Sequence, residues 1–363
     1  MTIKHIVCSI PVVLALCLTA CTSSTSRLEV VAELSQAPGN IAVTPEGRLI
    51  ISQHALYMPP QPVVELLPDG STKPFPNEAW AVKPGKDGVG LTSVLGIQSD
   101  RQGIVWMLDN GMGSSRLVAW DTRKDALHKI VEVTEPGRVY NSFFNDLALD
   151  PVHNTIFISD VASPQNSALV VVDLKTGKSR RLLEGHPSVL PEPLPIVIGD
   201  KSMSVDKEGK GKPTIGVDAI TIDTKSEWLY YGAAQSESLW RIRTADLVNE
   251  NLSDADLATR IERYGDRPIC DGITIDGAGN VYITDLTNYA IGVVEPSGNY
   301  RILFRDEKLL VWPDGMSFGP DGYIYVVANQ LHLSPVFNKG KNLSTLPYYV
   351  LRFKSLANGA VGR

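Results

Sequence analysis

Six short segments of this 363-residue chain place their chemistry-bearing residues at one shared position, just ahead of an apolar run. Read in register, the first position holds Gly39, Leu95, Asn145, Asp218, Asp271 and Asp314. The next holds Asn40, Gly96, Asp146, Ala219, Gly272 and Gly315. Carboxylates and amide oxygens gathered at one place are oxygen-rich ligation, suited to a hard cation such as Ca²⁺. Without a cation, like charges at close range repel and raise one another's pKa. For any single Asp–Gly the competing expectation is a tight turn whose carboxylate caps local backbone N–H groups. Three such residues in register favour a shared site.

What brings the six positions together is a repeat. Each segment reads as an apolar–small–apolar triplet, a turn and a second apolar strand, as in "FNDLALDPVHNTIFISD" (144–160) and "CDGITIDGAGNVYITD" (270–285). The turns carry Pro, Gly, Asn or Asp where hairpins want them. Further strand-like runs follow each hairpin, giving four strands per unit. Units of this kind are the sign of an all-β fold, a six-bladed β-propeller. The sixth unit stops at "YYVLRFK" (348–354), while "RLEVVAEL" (27–34) precedes the first. Pairing these two runs closes the ring and removes exposed sheet edges. First strands of all blades line the central channel, so the aligned residues converge on one mouth. Strict strand alternation would put Asp271 on the same face as Ile273, so the polar ring requires the acidic residues to precede the regular strand. Residues 184–216, rich in Pro and Lys, are an insertion, either a lid over the channel or a passive excursion.

Residues 1–21 read as a lipoprotein signal peptide. Lys4 is followed by an apolar stretch from Ile6 to Leu18, and Leu18-Thr19-Ala20-Cys21 resembles a bacterial lipobox. Cys21 is the expected lipidated residue, 22–26 a tether, and 27–363 a single domain. The chain is therefore expected to be exported and anchored in the cell envelope. Thr22 favours the periplasmic face of the outer membrane over the inner one. Cys270 is the one cysteine beyond Cys21, so neither an intramolecular disulfide nor a Cys-based zinc site is available to the mature domain. A net charge of −6 without basic blocks argues against nucleic acid. "DKEGKGKP" (206–213) reads as a solvated loop, and a monomer is expected. Neither "GMGSSR" (111–116) nor "GKGKPT" (209–214) has the spacing of a nucleotide-binding loop. His54 and His332 each follow a second strand, facing the mouth or capping a loop.

The stretches "FFNDLALD", "HPS…PEP", "GVDAITID…LYYG" and "WPDGMSFGPDGYIYVVANQL" together resemble the major royal jelly protein/yellow family in its bacterial branch. The resemblance covers about residues 30–354 and implies a six-bladed propeller. It also implies small-molecule binding, with dopachrome-conversion-like activity in some bacterial members. A more distant likeness to gluconolactonase propellers implies a divalent metal in the channel. Asn145 and Asp271 stand at matching ligand positions, Asp218 where a second Asn is usual, and Gly39 where a Glu is usual. Two expectations follow. One is a binding propeller whose ligand lies at the mouth, against Asn40, Trp312 and Asn329. The other is a metal-dependent lactonase using Asn145, Asp218 and Asp271 as metal ligands. Its cation would polarise the ester carbonyl, with Asp146 and Asp314 the catalytic candidates and Asp218 the other carboxylate able to handle the proton.

Overall fold

A computed structural model describes residues 1–2, 27–111, 113–204 and 211–363. Residues 3–26, which hold the rest of the signal segment, Cys21 and the tether, lie outside the described residues, as does most of "DKEGKGKP".

The described strands form six four-stranded antiparallel sheets, with a two-stranded ribbon (Val197–Ile198 with Lys201–Ser202) inside the 184–216 insertion. The inner strands are Pro38–Val43, Val94–Ser99, Phe144–Asp150, Val217–Ile222, Cys270–Ile275 and Pro313–Phe318. Each packs against the inner strands on either side, and the sixth meets the first, so the ring is closed. Blade six takes its outer strand from the N-terminal side: Glu29–Leu34 pairs antiparallel with Tyr348–Lys354, Glu29 opposite Arg352 and Leu34 opposite Tyr348. This is the closure expected from the sequence.

The alternating apolar residues of these strands do not make one central core. Each neighbouring pair of blades has its own buried apolar cluster, for example Trp106, Leu117, Phe144, Leu147 and Ile156 between blades two and three. Equivalent clusters fill the other five interfaces. Stability is thus distributed around the ring, leaving the axis free for polar residues.

The alternation problem has a structural answer. In all six inner strands the register slips at the same point. Phe144 faces Asp160 and Leu147 faces Ile158, so three steps on the inner strand oppose two on its partner. The same slip lies between Pro38 and Ile41, Val94 and Ile97, Val217 and Ile220, Cys270 and Ile273, and Pro313 and Met316. An extra residue of this kind is a β-bulge, which re-aims side chains and breaks parity. The two aligned positions of each blade, polar in all but blade two, therefore sit within the strand, at a bulge, rather than ahead of it.

Hydroxyl side chains on the second strands hold three of these bulges. Ser52 Oγ accepts from Asn40 N–H (2.8 Å) and donates to Leu95 O (2.8 Å). Ser159 Oγ accepts from Asp146 N–H (3.0 Å). Thr284 Oγ1 accepts from Gly272 N–H (2.9 Å) and donates to Gly272 O (3.0 Å). Replacing Ser52 by Ala leaves a buried N–H and carbonyl unpaired, and the expected cost is about 1–3 kcal/mol. A lowered urea midpoint with an unchanged slope is the result to look for.

Candidate functional site

The bulges aim the ring residues into a pocket of about 170 Å³ at one mouth of the channel. Its floor carries Asn40, Asn145, Asp146, Asp218, Asp271 and Asp314, all six from inner strands. Its walls are apolar, with Leu56, Phe143, Val161, Ile269, Leu286 and Phe337 among them. Trp312 and His54 also line it. Asn329 stands behind the floor.

Glycine at the second bulge position lets neighbouring inner strands come this close. A Cβ on Gly96 would lie 2.6 Å from Asn145 O, and one on Gly272 would lie 2.6 Å from Asp314 O. Neither can be accommodated without moving the floor itself.

Each of the four carboxylates has a neutral side-chain amide or indole as neighbour. Asn40 Nδ2 donates to Asp146 Oδ1 at 2.7 Å, its own Oδ1 being held by Ile41 N–H. Trp312 Nε1 donates to Asp271 Oδ2 at 2.5 Å. Asn329 Nδ2 donates to Asp314 Oδ2 at 2.7 Å, its orientation fixed by Leu331 N–H. Asn145 favours the charged form of Asp218. Yet Asp218 is only 4% exposed, and its Oδ1 is buried without a hydrogen-bond partner among the described residues.

Cations do not balance this floor. None of the four aspartates takes part in an ion pair among the described residues. Arg267, which acts weakly on Asp218, spends its guanidinium on Ala233 O, Pro268 O and Cys270 Sγ. Burial consequently raises all four carboxyls, and repulsion from neighbouring carboxylates adds to it for Asp146, Asp218 and Asp314. Asp146 is pushed up to about 7 by burial and by Asp271. Burial takes Asp271 up to about 6, against the pull of Trp312. Asp218 and Asp314 lie well above the usual carboxylate range, through burial and then the charge of Asp271. Such a floor calls for protons or a cation.

The insertion forms part of the wall, not an idle excursion. Ile196 and Ile215 line the pocket, and Ile196, Ile198 and Met203 pack with Ile269, Leu286, Trp312 and Leu331. Gln235 pins both ends. Its Oε1 accepts from Ile215 N–H (3.1 Å), its Nε2 donates to Leu194 O, and its backbone O accepts from Glu192 N–H (2.8 Å).

The structure thus brings together Asn40, Asn145, Asp146, Asp218, Asp271, Trp312 and Asp314, with Asn329 supporting Asp314. His54 faces the same pocket. His332 does not line it; its ring stacks on Trp312, centroids 5.9 Å apart and planes 13° apart. The sequence reasoning missed the hydroxyl pegs Ser52, Ser159 and Thr284, and Gln235. The pegs do leave a signal, a Ser or Thr at the same place in "IISQ", "FISD" and "YITD" of alternate blades. As for a metal, the oxygen donors of Asn145, Asp218 and Asp271, with the bare Asp218 Oδ1, suit a hard cation. Among the described residues, however, no group of three or more His, Cys, Asp or Glu is arranged as a ready metal cage.

The sequence profile of the family described as major royal jelly protein matches residues 92–354. Major royal jelly protein 9 of Apis mellifera is 24% identical over 198 residues, which are 51% of this chain and 44% of that one. The chain thus spans less than half the length of this curated relative. Among solved structures, a calcium-binding protein, regucalcin, from Agrobacterium tumefaciens superposes with a TM-score of 0.57 at 14% identity, over 93% of this chain and 98% of that one. A gluconolactonase from Xanthomonas campestris gives 0.56 at 10% identity, over 91% and 89%. At these identities the two structures speak for the six-bladed fold alone.

Proposed function

The chain belongs to the major royal jelly protein family, and we propose that its channel mouth binds a small organic cation, a protonated amine on an apolar body. One observation carries this reading: four aspartates, Asp218, Asp271 and Asp314 buried and Asp146 half-buried, form the floor of an apolar-walled pocket of about 170 Å³, and none has a cationic partner among the described residues. A bare metal ion would satisfy the floor but leave the apolar walls against water. An amine with a hydrocarbon body satisfies both, because charge meets charge and apolar area leaves water. Trp312, Asn40 and Asn329 then act as ligand-site residues chiefly by orienting Asp271, Asp146 and Asp314.

Calorimetric titration with phenethylamine and its uncharged counterpart phenethyl alcohol tests the reading. Near pH 8 the amine is expected to bind at least tenfold more tightly, one desolvated charge pair accounting for more than that factor. Equal affinities would remove the role assigned to the aspartates.

A second reading is favoured by the unpartnered Asp218 Oδ1 beside Asn145. Asn145, Asp218 and Asp271 would hold a divalent cation such as Ca²⁺, which would supply Lewis-acid polarisation of an ester carbonyl. In that reading Asp146 and Asp314, raised by burial, hold protons at the substrate. Gly39, where gluconolactonases are expected to have a Glu, weighs against lactone hydrolysis. Metal content by mass spectrometry, with Asp271→Ala as control, separates the two readings. About one calcium per chain, lost in the variant, would favour the second.

We also propose that residues 1–21 direct export and that Cys21 carries a lipid anchor in the cell envelope. Labelling with a fatty-acid analogue, present in the full chain and absent from Cys21→Ser, is the expected outcome.

A further inference from the structure

The side-chain donors that line the pocket are unequal. Those of Asn40 and Trp312 are spent on Asp146 and Asp271, and Asn145 is engaged with Asp218. His54 is different. It follows the second strand of blade one and caps the short turn Ala55–Tyr57, its Nδ1 accepting from Leu56 N–H at 3.3 Å. A nitrogen that accepts carries no proton, so the proton of the neutral ring is on Nε2. Nothing among the described residues bonds to that Nε2, and His54 lines the pocket at 6% exposure. The ring is set in place by its cap, by His54 N–H to Ala37 O (2.8 Å) and by an edge-on contact with Tyr57. Burial pulls the ring down to about 4, so it faces the acidic floor as a neutral group. Gly39 lies beside it: a Cβ there would approach the His54 Cα to 3.6 Å, and glycine leaves this corner open.

The pocket therefore offers acceptors on its floor and an uncommitted donor at the blade-one wall. We propose that His54 Nε2–H donates a hydrogen bond to an oxygen acceptor on the ligand, so that the pocket selects amines bearing an ether, carbonyl or hydroxyl oxygen away from the cationic end. This inference rests on the organic-cation reading of the same site.

The test compares phenethylamine with 4-methoxyphenethylamine, which adds an acceptor, on the wild-type protein and on His54→Asn. Asparagine is a good capping residue and can keep the bond to Leu56 N–H, while it removes the ring donor. The wild type is expected to prefer the methoxy amine by up to about tenfold, the worth of one good hydrogen bond, and His54→Asn to bind the two about equally. The same preference in both proteins would overturn the role of His54. Nitrogen-15 NMR of the ring is the independent check. A proton on Nδ1 in the free protein would overturn the His54 proposal alone, whatever the affinities. Failure of both amines to bind, with the Nε2–H tautomer observed, would instead overturn the organic-cation reading and this inference with it.

Discussion

Asp218→Asn is expected to make the unliganded protein more stable and to weaken amine binding by at least tenfold. Asp218 is 4% exposed, has one oxygen without a partner among the described residues, and sits near three other carboxylates. Keeping it charged costs desolvation and repulsion, and keeping it neutral near pH 8 means holding a proton against solution. Asparagine fills the same space without the charge. Relief of one unsatisfied buried charge is worth about 1–3 kcal/mol, visible as a rise of a few degrees in the thermal midpoint. Losing that charge removes one partner of a desolvated ion pair with the ligand, hence the fall in affinity. Opposite signs in stability and binding mark a residue kept for its ligand. A fall in both would assign Asp218 to the scaffold.

Gly315→Ala is expected to be among the most damaging single-methyl changes in the protein. A Cβ at Gly315 would overlap the Asn40 side-chain amide and come within 2.7 Å of Asn40 Cα. The contact joins blade six to blade one, where the ring closes, and neither backbone has room to retreat. Overpacking of this kind costs about 1–3 kcal/mol or more. The displaced Asn40 also gives up its 2.7 Å bond to Asp146, so amine affinity should fall with stability. Gly322→Ala makes the contrast: its added Cβ meets nothing within 4 Å, and its cost comes only from the positive φ of 77°. Chemical denaturation of the two variants distinguishes crowding at the ring from backbone strain in a turn.

The blade count and the closure were legible because hairpin turns and period-two apolar patterning repeat on every unit, and one strand was visibly left over before the first unit while the sixth was one strand short. The convergence of Asn145, Asp146, Asp218, Asp271 and Asp314 was legible too, as a consequence of topology. The bulge was not. It inserts a residue without changing composition, and its hydroxyl pegs, Ser52, Ser159 and Thr284, look like ordinary strand residues. Nor could the sequence show that Asn40 reaches Asp146 across the intervening blade, since that contact depends on how far Gly96 and Gly315 let the inner strands approach. The wall role of the insertion rests on Ile196 and Ile215, two apolar residues in a Pro- and Lys-rich stretch, pinned by Gln235 from another blade.

The floor holds its carboxylates largely away from water, with no cationic partner among the described residues, and the dependence of stability on pH is the direct test. A carboxyl whose folded pKa is raised binds more protons folded than unfolded, so its stabilising contribution is complete below the unfolded value and is lost as pH rises through the folded one. For Asp146 that window runs from the ordinary value of 3.8 to about 7, at about 1.4 kcal/mol for each pH unit. His54 and His332, both pulled down to about 4, act in the opposite sense at acid pH. The measurement is therefore a difference, the thermal midpoint of Asp146→Asn minus that of the wild type, followed from about pH 5 to about pH 8 without ligand. This difference is expected to grow in favour of the variant as pH rises. A difference that stays constant, or a wild type that gains on the variant toward pH 8, would contradict it.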